Sequence, residues 1–312
     1  MRTMRTGALV GVLVGVLALS LAGCQTGRAD DGGAGAGGGA GTEGGGDADV
    51  PDVTGDGATL VLQLHAAGGF VPWGYDFASV PALSVYADGT AIVHGPMTME
   101  YPGKALPNLQ VVQLPDGTVQ EIVAAAAEAD LLAPGPDYGM PGVADLPTTR
   151  VTIAVGGQTY EHEAYALGAG PGETTPEDEG MFGGGDTGLT EEQSAARVTL
   201  AQFIQRVNGL VGATGAEESY AIPALGVMAM PVDPATDQGV EGVDIQVLAW
   251  PVGVALADAG QCALVEGADA QTLLATLAEA NQLTQFEQDG VTYQAWFRPL
   301  LPHETSCADL IG

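Results

Sequence analysis

The sequence predicts an α+β protein in which antiparallel sheets with hairpins are covered by two to three packing helices. Short β-rich runs separated by Asp-Gly and Gly-Gly turns indicate the hairpins. Stretches with apolar residues at every third or fourth position indicate the helices. Of all residues, 46% are hydrophobic and 15% are charged, which is enough apolar material for a substantial core. We therefore expect a folded part despite the formal net charge of -31.

Tight turns mark the strands of the first half. Asp88-Gly89 separates two β-rich runs, the strongest short-range hairpin signal, and Gly156-Gly157 separates another pair. The predicted strands are residues 59–65, 82–86, 90–94, 108–114, 150–155 and 158–167. They indicate two hairpins and two further strands.

Two helices are predicted from capping and periodicity. Thr118 with Glu121, and Thr190 with Gln193, have the spacing of a capping box. The apolar faces that follow are Val119, Ile122, Val123, Ala126, Ala127 and Leu131 in the first helix, and Leu200, Ile204, Val207 and Val211 in the second. Because each face recurs at helical spacing, each helix is expected to pack on a sheet.

The final part of the sequence repeats this arrangement. Its predicted strands are residues 221–231, 244–250, 284–288 and 291–300. Asp289-Gly290 joins the last two as a hairpin, and Asp269 is expected to cap a helix whose inward residues are Leu273, Leu274 and Leu277. A helix followed by a hairpin thus occurs in both halves. Two similar subdomains from a duplication are one interpretation, and independent use of a common motif is the other.

Composition divides the chain into four parts. Residues 1–23 are typical of a lipoprotein signal peptide, and residues 24–57, rich in Gly, Ala and Asp, of a disordered tether. Residues 58–212 are predicted to form a first α+β domain with a mobile acidic loop at 168–188, and residues 213–312 a second α+β domain.

The first 24 residues point to an anchor. Arg2 and Arg5 precede an apolar run at residues 8–19, and Leu21-Ala22-Gly23-Cys24 follows. This tetrapeptide resembles the bacterial lipobox, in which the cysteine thiol carries a diacylglycerol and the peptide bond before it is cut. The resemblance implies lipidation of Cys24 and attachment to the extracytoplasmic face of the cell membrane. An ordinary signal peptide or an uncleaved anchor is the alternative.

The charge balance excludes one class of partner. The chain has 8 Lys and Arg against 39 Asp and Glu. Such a chain repels phosphate backbones, because Lys and Arg supply the contacts that nucleic-acid binding requires. We expect no nucleic-acid partner, and membrane association through the lipid on Cys24 alone.

Cys262 and Cys307 are predicted to form a disulfide. An even pair of cysteines in an exported chain is normally oxidised. The chain-entropy model gives such a bridge roughly 4 kcal/mol of stabilisation before native strain is counted. Two free thiols or a metal-binding pair are the alternatives.

The sequence contains no local motif for catalysis or metal binding. His65, His94, His162 and His303 lie far apart, and none belongs to a His-Glu-x-x-His motif. The serines lack the Gly-x-Ser-x-Gly and Ser-x-x-Lys patterns. Paired carboxylates of a glycosidase would converge from remote segments, so spacing does not test them. We therefore assign no catalytic residue, no metal ligand and no cofactor.

An aromatic concentration at residues 68–77 is the remaining feature. Phe70, Trp73, Tyr75 and Phe77 lie among glycines and a proline, which favour a loop over a strand. Aromatic side chains on a surface loop suit recognition of a peptide or sugar. They would equally suit a plug over an open sheet face. The residues that we assign to ligand binding are Phe70, Trp73, Tyr75 and Phe77.

The first half also resembles a known group of proteins. The Ala87-Asp88-Gly89 hairpin, the short helix and the segment Asp145 to Arg150 before a Gly-Gly hairpin resemble a domain of uncharacterised secreted and lipid-anchored proteins of high-GC Gram-positive bacteria. The resemblance implies fold and compartment only. We expect a non-enzymatic binding or interaction module of the cell envelope, whose partner is an envelope protein or a glycan. The alternatives are an extracytoplasmic hydrolase with unrecognised carboxylates and a structural envelope component.

Overall fold

The protein is an α+β protein with two sheets, as seen in a computed structural model that describes residues 50–169, 188–212, 217–233 and 242–311. The first sheet has the strand order β6-β5-β1-β2-β3-β4-β7 and is antiparallel throughout. The second has the order β10-β8-β12-β11-β9, with a parallel pair between β11 and β9. Both sheets belong to one compact unit, residues 46–312.

The bounds of the elements are as follows. The strands are β1 Leu60–Ala67, β2 Leu83–Tyr86, β3 Thr90–His94, β4 Leu109–Gln113, β5 Thr148–Val155, β6 Gln158–Tyr165, β7 Glu217–Ser219, β8 Ala224–Pro231, β9 Val247–Ala249, β10 Ala263–Glu266, β11 Gln285–Gln288 and β12 Val291–Pro299. The α-helices of the described residues are α1 Tyr75–Ala78, α2 Thr118–Glu128, α3 Glu191–Gly212 and α4 Gly267–Leu277.

Helices α2 and α3 cover one face of the first sheet. Alternate residues of the central strands, such as Leu62, Leu64 and Ile153, point to that side and are buried against the helices. The helical residues that meet them include Ile122, Val123, Leu200, Phe203 and Val207. This layer is the larger core of the protein.

Helix α4 covers one face of the second sheet. Leu273 and Leu277 of the helix pack against a cluster of aromatic residues, of which Phe286 and Phe297 lie on strands and Trp250 directly follows β9. Its rings, Trp250, Phe286 and Phe297, meet in edge-to-face or stacked pairs at centroid distances of 5.5–6.4 Å. The opposite face of this sheet turns toward the first sheet, where helix α1 packs against β12.

The predicted hairpins and helices are confirmed, whereas two of the predicted caps are wrong. Helix α2 is preceded by Gly117, with φ of +84°, so Thr118 is already helical and buried. Helix α4 has Glu266 at its N-cap, and Asp269 lies in the first turn. The box of Thr190 and Gln193 is confirmed by reciprocal bonds of 3.0 and 3.2 Å. The short elements α1, β7 and β10 were not predicted.

The two helix-hairpin motifs join the rest of their sheets through different strands of the hairpin. In the first sheet the earlier strand of the hairpin, β5, pairs inward with β1. In the second sheet the later strand, β12, pairs inward with β8. The two sheets therefore differ in strand order, although their hairpin turns are alike in sequence.

Core contacts begin eight residues before the predicted domain start at Ala58. Val50 and Val53 pack against the first core, and the Val53 amide donates to Gln120 Oε1 at 3.0 Å. The signal peptide, Cys24, the tether up to residue 49 and residues 170–187 of the predicted acidic loop lie outside the described residues. Within the described residues, no helix is long and apolar enough to span a bilayer.

Candidate functional site

The segment at residues 68–77, still called the aromatic loop here, follows β1, and its last three residues form the start of α1 rather than the predicted loop. Its rings divide into exposed and buried ones. Phe70, Trp73 and Tyr75 are 88%, 49% and 57% exposed, whereas Phe77 is buried. Gly68, Gly69 and Gly74 have φ between +81° and +88°, which glycine adopts without strain. The loop therefore presents three rings to solvent and fixes the fourth inside the protein.

Trp73 is held by a second tryptophan from the other sheet. Its ring meets that of Trp296 edge-to-face at a centroid distance of 4.8 Å. A Cβ at Gly74 would collide with the Trp296 ring, so glycine allows the loop to lie flat on β12. Trp73 is supported on one side and open to solvent on the other.

A cleft of about 530 Å³ lies beside this loop, where the first sheet meets the second. The loop contributes Trp73, Asp76 and Phe77, and β8 contributes Met228. Leu310 and Ile311 line another side. The volume falls within the range of roughly 300–1,000 Å³ that is typical of small-ligand pockets.

The floor of the cleft is a row of polar side chains on three neighbouring strands. His65 of β1 is paired in register with Arg150 of β5, which is paired in turn with Glu163 of β6. Thr148 and Ala67, also partners in register, lie next to this row. Because alternate residues of these strands face the helices, the row lies on the sheet face opposite the larger core.

Arg150 and Glu163 form a half-exposed ion pair. Arg150 Nε donates to Glu163 Oε1 at 2.6 Å. Nearby, the Gly68 amide donates to Asp76 Oδ1 at 2.9 Å, which fixes one oxygen of that carboxylate. The cleft thus contains both hydrogen-bond donors and acceptors on a rigid framework.

His65 is neutral at physiological pH. Burial, reinforced by the positive charges of Arg298 and Arg150, lowers its pKa to about 4. Its Nε2 lies 3.2 Å from the Ser79 hydroxyl, which resembles a serine–histidine pair. A base with so low a pKa is weak at neutral pH, and Ser79 is not among the residues that line the cleft. The arrangement therefore favours hydrogen bonding over nucleophilic catalysis.

Residues 300–311, called here the 300–311 segment, form one wall and are held by a disulfide. Cys262 and Cys307 are bonded, as predicted, with Cα atoms 5.8 Å apart. Gly226 of β8 leaves room for this wall, because a Cβ there would collide with Leu310 and approach the Phe77 ring to 3.1 Å. Segment, disulfide and aromatic loop therefore meet over one glycine.

A buried ion pair anchors the same segment. Arg298 Nη2 donates to Glu304 Oε1 at 2.7 Å, and both side chains are about 5% exposed. The Leu301 amide donates to the other carboxylate oxygen at 2.7 Å. Burial raises the pKa of Glu304, and the neighbouring guanidinium offsets part of that rise. Next to the pair, the Tyr86 hydroxyl and His303 Nδ1 lie 2.9 Å apart.

The four histidines occupy separate places. His162 is fully buried between the Tyr138 hydroxyl and the Leu131 carbonyl, at 2.8 and 2.9 Å. His94 Nε2 lies 3.2 Å from the Val80 carbonyl, while His65 and His303 have the partners described above. Among the described residues, no three His, Cys, Asp or Glu side chains converge as a metal site.

Sequence reasoning identified the aromatic loop but missed the polar floor of the cleft. Side chains alternate along a strand, so the sequence Glu161-His162-Glu163 indicates that both glutamates lie on the face opposite His162, and this was a usable signal for the outward face. The pairing of β1 with β5 was not predictable from it, because these strands are separated by about 80 residues of sequence.

In comparisons with known proteins, the chain matches no protein-family model, no curated protein and no solved structure.

Proposed function

We propose that the protein is a lipid-anchored binding module of the cell envelope, which recognises its partner through the aromatic loop and the adjacent cleft. The observation that carries the proposal is the exposure of Phe70, Trp73 and Tyr75 on a loop that Phe77 and Trp296 hold in place. Rigid exposed aromatic side chains lose little rotamer entropy on binding, which is why they are frequent in recognition surfaces. The partner is an envelope protein or a glycan.

The anchor rests on the lipobox-like sequence before Cys24. A lipid at this position would hold the folded part near the outer face of the membrane, through a Gly-rich connection. Cys24→Ala is expected to release the protein into the medium or to leave it unprocessed. Normal cleavage with unchanged membrane retention would contradict lipidation.

Recognition is tested by pull-down of the anchored protein from its own membranes. Trp73→Ala and Phe70→Ala are each expected to reduce partner capture about tenfold or more. Met140→Ala is the matched control, since Met140 is 75% exposed and does not line the cleft. Capture that is equally strong in all three variants would contradict a role for the loop in binding.

An extracytoplasmic hydrolase is the second candidate. The observation in its favour is that two carboxylates, Asp76 and Glu163, line the same cleft. Against it, Glu163 is bonded to Arg150 and Asp76 to a backbone amide, so both already have structural partners. Release of new reducing ends or peptide termini from envelope material by the wild type, abolished in Asp76→Asn and Glu163→Gln, would favour the hydrolase.

A further inference from the structure

We infer that the cleft between the two sheets binds a neutral glycan. This inference rests on the proposed function, because it names the class of ligand that the same site takes. It is carried by the row of His65, Arg150 and Glu163, which lines the same cleft as Trp73.

The floor of the cleft offers side chains rather than backbone. His65, Arg150 and Glu163 lie on the face of the sheet. The backbone of β5, the middle one of their three strands, is paired with β1 and β6. A peptide that binds by adding a strand needs free backbone groups at a sheet edge. A ligand lying on this face must instead be recognised by side-chain hydrogen bonds, which suits a molecule rich in hydroxyl groups.

Several polar atoms of the cleft retain hydrogen-bonding capacity. Arg150 uses Nε for Glu163, and its two terminal amino groups have no partner among the described residues. Within the same part of the chain, Glu163 and Asp76 each have one carboxylate oxygen without a hydrogen-bond donor. Donors and acceptors thus stand side by side, and a sugar hydroxyl can both donate and accept.

The walls supply the apolar contact that a sugar ring requires. Trp73 is half exposed and supported by Trp296, so its outer surface is available to a ligand. Met228, Leu310 and Ile311 line the cleft as well. A pyranose ring presents C–H groups on its flat sides, and these pack on the electron-rich face of an aromatic ring.

The lining of the cleft carries both charges, with Asp76 and Glu163 against Arg150. An anionic group would face Asp76 and Glu163 within a chain of net charge -31. A cationic peptide would be attracted over long range, but Arg150 occupies the middle of the row. A cation would therefore lie beside Arg150 and an anion beside Asp76 and Glu163, whereas a neutral polyol meets no like charge.

The test is calorimetric titration of the full lipid-anchored protein in phosphatidylcholine nanodiscs. The probes are maltotetraose, cellotetraose, mannotetraose and N-acetylchitotetraose, with tetralysine as the cationic peptide. At least one tetrasaccharide is expected to bind with a Kd below about 1 mM. Absence of binding by all four at about 10 mM, or salt-sensitive binding of tetralysine alone, would overturn the inference.

Variants locate the binding in the cleft. Arg150→Ala and Trp73→Ala are each expected to raise the Kd of the tetrasaccharide about tenfold. Arg206→Ala is the matched control, because Arg206 is also a half-exposed arginine paired with a glutamate, Glu128, and does not line the cleft. Equal weakening by Arg206→Ala, or an unchanged Kd in Arg150→Ala, would overturn the assignment to the cleft.

The two proposals fail in different ways. If Trp73→Ala abolishes capture from membranes while no tetrasaccharide binds, the glycan inference is wrong and the binding function stands. If Arg150→Ala weakens tetrasaccharide binding while Trp73→Ala and Phe70→Ala leave partner capture unchanged, the glycan site stands and the loop is not the capture surface. If no variant reduces either tetrasaccharide binding or partner capture, both proposals are contradicted.

Discussion

The two faces of the seven-stranded sheet differ in how they are stabilised. The face under α2 and α3 is a continuous apolar layer, and its buried His162 and Arg197 are bonded to nearby protein groups. The opposite face carries the row of His65, Arg150 and Glu163, which lines the cleft. On the same face, Tyr86 of β2 contacts His303 of the 300–311 segment. The first face is secured by the larger apolar layer, whereas the second combines a smaller apolar cluster around Tyr86, Ile92 and Leu301 with ion pairs, a disulfide and neutral histidines.

This difference identifies the second face as the part of the molecule whose stability is most sensitive to pH and to reduction. Apolar packing depends little on pH or redox state, whereas buried charges and titratable groups depend on both their partners and the solvent. Changes directed at the buried charges, the disulfide and the histidines of the second face should therefore lower stability, whereas a change at its exposed aromatic ring should not lower it much. Four predictions test that expectation.

The largest effect is expected from breaking the buried ion pair. Arg298→Met leaves Glu304 buried without its partner and should lower the free energy of unfolding by about 3–5 kcal/mol. Arg298→Met combined with Glu304→Leu should recover most of this loss. Arg206→Met, which breaks an exposed pair with Glu128, should cost less than about 1 kcal/mol in the same urea titration. Similar losses in the two single variants would show that burial of the pair is unimportant.

Removal of the disulfide is expected to have the next largest effect. Replacing Cys262 and Cys307 by alanine should lower the free energy of unfolding by about 2–4 kcal/mol, since the bond restricts a long loop in the unfolded chain. Hydrogen exchange should rise more in residues 300–311 than in α2, because the bond also holds this segment in the folded protein. Equal rises in both regions would contradict a local role for the bond on the second face.

Acidification should destabilise the second face through its histidines. Burial is the main cause that lowers the pKa of His65 and of His303 to about 4, below the unfolded value near 6.5. The unfolded chain therefore binds more protons, and stability present above pH 6.5 is lost as pH falls toward 4, by on the order of 1–3 kcal/mol after allowance for partial exposure. Glu304, whose pKa is raised, acts in the opposite sense.

The measurement is the free energy of unfolding between pH 7 and pH 4. Replacing His65 and His303 by glutamine should flatten the profile in this interval, because glutamine does not titrate. A profile of unchanged slope in the double variant would contradict the assignment of the loss to these two side chains.

The smallest effect on stability is expected at Trp73. Its ring is half exposed and packs edge-to-face on Trp296, so Trp73→Ala should cost only about 1–2 kcal/mol by thermal or urea unfolding. A loss of about 3–5 kcal/mol, the range for truncating a core aromatic, would mean that Trp73 acts as a plug for the second face.

Local signals in the sequence were sufficient for the hairpins and for helices α2, α3 and α4, but not for the short helix α1. Asp88-Gly89, Gly156-Gly157 and Asp289-Gly290 each join two paired strands, because a turn of fixed geometry brings its neighbours together whatever the rest of the chain does. The cap of α2 was misassigned because Gly117 adopts a positive φ, which a pattern based on side-chain hydrogen bonds does not reveal.

The cysteine count and the expectation of export predicted the disulfide, and the glycine-flanked aromatic run predicted a loop, of which Tyr75 to Phe77 form the start of α1. Tertiary structure alone decided which rings of that loop are open and what lies beneath them. His65, Arg150 and Glu163 become neighbours through strand registers, and Leu310 reaches the cleft because β8 has glycine at position 226. Such contacts depend on long-range pairing, whose free energy comes from burying whole faces, so no short stretch of sequence contains the information that specifies them.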